Sequence, residues 1–178
     1  MDMMNAVRRY LKSNLLAGFR RGPHHGWRRW LPILLIYAVA ALVIALMTDL
    51  VEFRLAESRL FFILPVTLLV FPVLLEEGFF RGILIPQKSL SRGKEIGYVV
   101  LSSVLFVLWH PFNALTINPT SQGVFLRIDF LAIVFLLGIA CGAGYVISRS
   151  LWVPILIHWV TVLVWVLALG GRNLILES

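Results

Sequence analysis

The sequence has few charged residues and almost no cysteine, and each shortage excludes a class of protein. Only 14% of its 178 residues are charged whereas 60% are hydrophobic, and the mean hydropathy is +0.89. Soluble domains usually carry about 25% charged residues, so this composition predicts an integral membrane protein. Cys141 is the only cysteine, which excludes a disulfide within the chain.

Signals for nucleotide or nucleic-acid binding are also missing. The sequence contains no phosphate-binding loop and no dinucleotide-binding fingerprint. Its net charge of +7 is concentrated before the first apolar segment, a distribution typical of membrane topology and of binding to anionic lipid. We therefore expect membrane lipid as a partner and no nucleic acid. The basic residues before that segment are Arg8, Arg9, Lys12, Arg20, Arg21, Arg28 and Arg29.

The hydrophobic pattern divides the chain into a short N-terminal segment and one membrane domain. Residues 3–20 have the helical spacing of a basic amphipathic helix lying on the membrane surface. We place an interfacial segment at residues 1–30 and the membrane domain at residues 31–170, since no low-complexity linker marks a further boundary.

Five apolar segments follow within the membrane domain, each near the roughly 20 residues that a spanning helix needs, although the third is short. Backbone polar groups have no water to bind inside the bilayer, which requires helices. We therefore predict an all-α transmembrane bundle of about five spanning helices, together with the N-terminal interfacial helix. The segments are residues 31–50, 60–86, 96–110, 124–148 and 151–169.

Loop charges predict the orientation of the chain. With the amino terminus in the cytoplasm, eleven of the sixteen basic residues lie on the cytoplasmic side, four lie outside and Arg81 lies in the membrane. Because positively charged loops stay in the cytoplasm, we predict a cytoplasmic amino terminus. The four residues placed outside are Arg54, Arg59, Arg127 and Arg172.

Two adjacent acids, Glu76 and Glu77, interrupt the second apolar segment. A charged side chain at the bilayer centre costs at least about 2.5–3.5 kcal/mol, so such residues usually have a function. Glu77 and Arg81 are four residues apart on one helix face and are expected to pair. Glu76 is rotated by about 100° and points elsewhere, which makes it the candidate for proton transfer. The alternative is that both acids only support a polar helix contact.

Two histidines are predicted to meet these acids. His110 ends the third segment before Pro111, and His158 lies inside the fifth. Counted along the helices, both lie near the depth of Glu76. A carboxylate and two histidines can supply a base, a polarising group and a donor for an oxyanion, which are the groups that activate water for hydrolysis.

Smaller patterns predict packing. Gly138 and Gly142 form a small-residue face that allows two helices to approach closely. Arg127 and Asp129 are expected to pair at the outer interface. Trp109, beside the predicted site histidine, is expected to line a substrate groove.

Ordered motifs in this region resemble those of the CAAX protease and bacteriocin-processing family. Glu76-Glu77-Gly-Phe-Phe-Arg81 is similar to its Glu-Glu-x-x-x-Arg motif, and Phe106-Val-Leu-Trp-His110 is similar to Phe-x-x-x-His. His158 resembles the last motif histidine. The similarity covers roughly residues 60–165 in the order and spacing of the family.

The resemblance implies a metal-independent, glutamic-type endopeptidase in the plasma membrane of a bacterium. Its substrate would be a peptide or protein with a lipidated or membrane-embedded C-terminal tail. By this resemblance Glu76 and His110 activate water, while His158 helps to hold the oxyanion. The residues expected to support them are Glu77, Arg81 and Phe106.

One position departs from the family pattern. The family commonly has asparagine four residues after the last motif histidine, where this chain has Val162. Loss of one oxyanion donor lowers the rate about 10²–10³-fold in well-studied proteases. Either Asn113, Thr161 or a backbone N–H replaces it, or the protein is slow, specialised or inactive.

Other functions remain open. Two histidines and one glutamate are also the ligand set of a catalytic zinc ion, with Glu77 as the base. A non-catalytic immunity or peptide-binding protein would be compatible with Val162 in place of the family's asparagine. A proton-coupled carrier is a further alternative, because carriers also use membrane Glu and His residues. The substrate stays unidentified among prenylated C-termini, bacteriocin leaders and C-terminal sorting tails.

Overall fold

A computed structural model describes residues 3–53, 55 and 62–171, and helices account for most of this part of the chain. The result confirms the predicted all-α membrane bundle. The α-helices are α1 (Met3–Arg20), α2 (Trp27–Met47), α3 (Leu64–Leu68), α4 (Leu75–Glu77), α5 (Arg92–Thr116), α6 (Gln122–Phe125), α7 (Ile128–Ser148) and α8 (Trp152–Ala168), with π-helical turns at Leu69–Leu74 and Gly78–Ile83 and a 3₁₀ turn at Pro119–Ser121.

Three helices of the described chain, α2, α5 and α7, are long and apolar enough to cross a membrane. The fourth apolar helix, α8, has 17 residues, slightly fewer than the roughly 20 that a perpendicular span requires. Large apolar side chains such as Ile36, Val39 and Val43 point outward and are exposed. Such a surface is compatible with lipid and not with water.

The second predicted span is not one continuous helix. Residues 64–83, called the broken helix below, consist of α3, α4 and the two π-helical turns. The break lies at Phe71, whose backbone is extended with φ −137° and ψ 117°. Pro72 causes it, because proline lacks an N–H and disfavours the helical conformation of the preceding residue. The prediction of an unbroken span over residues 60–86 was therefore wrong, and residues 60 and 61 lie outside the described part.

Two other helix boundaries differ from the prediction. His110 does not end the third span, because α5 continues past Pro111 to Thr116. The proline removes one backbone donor, but the helix runs through it. The fourth segment does not begin as one helix at residue 124, since α6 ends at Phe125 and α7 starts anew after Arg127, which has an extended backbone.

Helix α7 lies at the centre of the bundle and packs closely on α5. A Cβ atom added to Gly138 would lie 2.9 Å from the Cβ of Ser103, and one added to Gly142 would lie 2.9 Å from a Val99 methyl group. The predicted small-residue packing face is confirmed. Residue numbers rise along α7 as they fall along α5, so the two helices are antiparallel.

The predicted N-terminal helix forms over residues 3–20 and packs against the broken helix. Asn14 is only 5% exposed. Its Nδ2 donates to the carbonyl oxygens of Gly82, at 2.8 Å, and Ile85, at 3.0 Å, while the Gln87 N–H donates to its Oδ1 at 2.7 Å. The Tyr10 hydroxyl donates to the carbonyl of Ile83. Helix α1 thus holds the end of the broken helix.

The charges used to predict orientation are only partly described. Arg127 forms the predicted pair with Asp129, its Nε lying 3.1 Å from Oδ1. Arg149, predicted on the opposite side, pairs with Glu95. Arg54, Arg59 and Arg172 lie outside the described residues, and the orientation itself stays a prediction.

Candidate active site

A fully buried ion pair fixes the helix that carries the two acids. Arg81 Nη1 donates to Glu77 Oε1 at 3.0 Å, and both side chains are 0% exposed. This confirms the predicted pairing. Arg81 Nη2 also donates to the carbonyl oxygen of Gly138 at 3.1 Å, so the same guanidinium attaches the broken helix to α7.

Glu77 makes a second contact, with the histidine of α8. His158 Nδ1 lies 2.8 Å from Glu77 Oε1, the oxygen that also accepts from Arg81. The carboxylate orients the ring so that Nδ1–H donates to it and Nε2 is left for other partners. Sequence spacing gave no sign of this contact, because it joins different helices.

Glu76 points away from the buried pair, as predicted. Its Oε1 accepts a hydrogen bond of 3.0 Å from the indole N–H of Trp109, and its Oε2 lies 3.8 Å from His158 Nε2. Trp109 therefore does more than line a groove, since it holds one carboxylate oxygen. The Glu76 side chain is 12% exposed, and the residue lines a cavity.

His110 reaches the same cavity from α5. Its Nδ1 lies 2.9 Å from the carbonyl oxygen of Phe106. Because a carbonyl oxygen only accepts hydrogen bonds, Nδ1 carries the proton and Nε2 is available to a group in the cavity. The Phe106 ring packs edge-on against both histidines, 5.0 Å from His110 and 5.5 Å from His158 between ring centres. Among the described residues no direct hydrogen bond joins His110 to Glu76.

The cavity between α2, the broken helix, α5 and α8 has a volume of about 1210 Å³. Its lining is mainly apolar, with side chains such as Ala41, Phe79 and Leu156. The predicted site residues Glu76, His110 and His158 all line it. A large apolar cavity with a few convergent polar groups is the usual form of a ligand site. The predicted convergence is thus present in the structure, while the catalytic roles stay predictions.

The donor set does not fit a zinc ion as arranged. A catalytic zinc needs three protein ligands at about 2.0–2.2 Å from one point. No group of three His, Cys, Asp or Glu side chains in residues 3–53, 55 and 62–171 is arranged to hold a metal ion. Each histidine directs Nδ1 to a protein oxygen and leaves Nε2 free.

Comparison with known proteins identifies the family. Residues 58–164, more than half of the chain, match the family described as type II CAAX prenyl endopeptidase, Rce1-like. No curated protein and no solved structure matches the chain. The matched region contains the broken helix, α5, α7 and the predicted site residues. The family consists of membrane proteases that act on a protein or peptide substrate. The chain belongs to the Rce1-like family of type II CAAX prenyl endopeptidases.

Proposed function

We propose that the protein is a glutamic-type intramembrane endopeptidase in which Glu76 and His110 activate water without a metal. The observation that carries this proposal is the position of Glu76. Its carboxylate lines the apolar cavity shared with two histidines, and Glu77, the adjacent acid, is fully buried in an ion pair. The two acids therefore have different environments, which suits a reacting group and a structural one.

Hydrolysis would begin with a water molecule between Glu76 and His110. Glu76 takes a proton from this water while His110 Nε2 holds it, and the oxygen attacks the substrate carbonyl carbon. The carbonyl electron pair moves to oxygen and forms a tetrahedral oxyanion. The C–N bond then breaks, and the leaving nitrogen receives the proton from Glu76. A carboxylic acid and an amine are the two products.

His158 would stabilise the oxyanion. Its Nδ1–H is held by Glu77, so Nε2 donates toward the cavity when the ring carries its second proton. The neighbouring carboxylates compensate that charge, and a preorganised donor is effective in an apolar site. Glu77, Arg81 and Phe106 would act as positioning residues, since they lie behind or between the reacting groups.

The cavity also suggests the kind of substrate. Its apolar walls can accept a peptide whose tail is lipidated or embedded in the membrane. We propose a bacterial plasma-membrane location with the amino terminus in the cytoplasm, where the basic face of α1 would contact anionic lipid. No cofactor is required by this mechanism.

The proposal is tested by incubating the purified protein in lipid with membrane-tethered and C-terminal peptides. We expect cleavage of some peptides, and we expect Glu76→Gln to slow it by about 10²–10⁴-fold, the usual contribution of a general base. Glu52→Gln, which changes an exposed acid on the loop after α2, is the control and should keep the wild-type rate.

Two results would contradict the proposal. Equal rates for the Glu76→Gln and wild-type proteins would exclude Glu76 as the base. Peptide binding without cleavage by the wild-type protein would favour the non-catalytic, peptide-binding alternative.

A further inference from the structure

The amide that the family has one turn after its last motif histidine is missing from α8. Val162 occupies that position and lines the cavity, but valine has no polar side-chain group. The neighbouring Thr161 does not replace the amide. Its hydroxyl accepts from the Tyr37 hydroxyl at 3.3 Å and donates to the carbonyl of Ile157 at 2.8 Å, so its only O–H proton is already used.

Asn113 on α5 lines the same cavity as Val162. Helices α5 and α8 run in the same direction, because α5 is antiparallel to α7 and the short turn between Ser148 and Trp152 makes α8 antiparallel to α7 as well. Their histidines, His110 and His158, both pack on Phe106 and so lie at one level. Asn113 is about 4.5 Å further along α5, and Val162 is about 6 Å further along α8. Both residues line the cavity just beyond the histidines.

The Asn113 side chain has no partner in the described part of the protein. Its Oδ1 is buried and accepts no hydrogen bond, although buried amide groups are almost always paired. By contrast, the amide oxygen of Asn118, which also lines the cavity, accepts a bond of 2.7 Å from Thr120. This unpaired amide, about one helical turn after His110 and in the wall of the same cavity, is therefore available to a bound substrate.

We propose that Asn113 is a catalytic residue that supplies the oxyanion donor missing at position 162. Its Nδ2–H donates to the carbonyl oxygen of the substrate as that oxygen becomes negative, next to His158. Its Oδ1 accepts a hydrogen bond from a backbone N–H of the substrate, so that this buried oxygen gains a partner. A primary amide carries both functions. This inference rests on the proposed function and moves one catalytic group from α8 to α5.

The test is a double-mutant cycle between the two sides of the cavity. Asn113→Ala should lower kcat by about 10²–10³-fold, the effect of losing one oxyanion donor. Adding Val162→Asn to that variant should restore kcat to within about tenfold of wild type, because the donor returns from the α8 side. Asn5→Ala makes the same change at an exposed position of α1 outside the cavity and is the matched control, which should change kcat by less than about threefold.

A fall in kcat that Val162→Asn does not restore, or an unchanged kcat in Asn113→Ala, would overturn the assignment. The melting temperature of Asn113→Leu gives a test that needs no substrate. It should equal or exceed that of the wild type, because no internal hydrogen bond is lost. A clear decrease would show that Asn113 has a structural partner and would also overturn the assignment. Failure of the wild-type protein to cleave any peptide would instead overturn the proposed function.

Discussion

Glu77 is the residue on which the arrangement of the site depends. One of its oxygens accepts from both Arg81 and His158, and the side chain is fully buried. A buried carboxylate is stable only when opposite charge and hydrogen bonds compensate it. The Arg81 guanidinium provides that charge and also lies 4.6 Å from the centre of the Phe106 ring. A substitution in this pair should therefore lower the stability of the folded protein.

Arg81→Met should destabilise the protein by about 3–5 kcal/mol, because it leaves the Glu77 carboxylate buried and uncompensated. Replacing both partners, as in Glu77→Gln with Arg81→Met, should recover a large part of that loss. Unfolding by denaturant in detergent measures the free energy of unfolding of each variant. A double variant less stable than Arg81→Met would show that the buried charge is not the cause.

Trp109→Phe tests whether the indole N–H positions Glu76. The substitution keeps an aromatic ring and removes the hydrogen bond of 3.0 Å, and bonds to charged groups are worth about 1.5–3 kcal/mol. We expect the cleavage rate to fall by about 10–100-fold.

Trp152→Phe is the control for that experiment. It removes a similar bond, from the Trp152 indole N–H to the Phe19 carbonyl at 3.0 Å, in an exposed position outside the cavity. Its cleavage rate should match that of the wild type. Equal losses of rate in the two variants would contradict a specific role for Trp109.

At the scale of elements, α1 acts as a brace for the broken helix. Asn14→Leu should remove three hydrogen bonds at residues 82–87 and destabilise the protein by at least about 1–3 kcal/mol, since the two carbonyl groups left behind are buried. Amide hydrogen exchange at Gln87, whose N–H donates to Asn14, should become faster.

Asn5→Leu provides the comparison for the brace, because Asn5 is exposed on the same helix. Exchange at Gln87 should be unchanged in that variant. Equal exchange at Gln87 in the two variants would show that α1 does not hold the end of the broken helix.

The elements differ in how well the sequence predicted them. Hydrophobic periodicity placed α1 at residues 3–20, because one helical face is apolar along its whole length. The break at Phe71 was missed because the residues on both sides are equally hydrophobic, and only Pro72 marked it. A stricter use of the proline rule would have found it. Pro111 shows the limit of that rule, since α5 continues through it.

The site was predicted in part for a similar reason. The Glu77–Arg81 pair follows from helical spacing within one element, and it forms. Contacts between elements, such as His158 with Glu77 and Trp109 with Glu76, depend on how each helix is rotated in the bundle. A single sequence does not encode that rotation in any local spacing.

At the scale of the whole molecule, the cavity is formed by more than the family region. The family match begins at residue 58, yet α2 contributes Tyr37, Ala41 and Ala45 to the cavity wall. Helix α2 packs mainly on α7, so the central helix contacts both the helices of the family region and this wall of the cavity. The part of the chain outside the family match thus shapes the space in which a substrate would bind.

The most direct test of metal-independent, Glu76-dependent hydrolysis is the cleavage rate of metal-depleted protein in lipid. Wild-type and Glu76→Gln proteins would be treated with a strong chelator, checked for residual metal by mass spectrometry and assayed with one cleaved peptide. We predict that wild-type activity survives depletion and that Glu76→Gln remains slower by about 10²–10⁴-fold. Loss of wild-type activity on depletion, with recovery on addition of zinc, would contradict this mechanism.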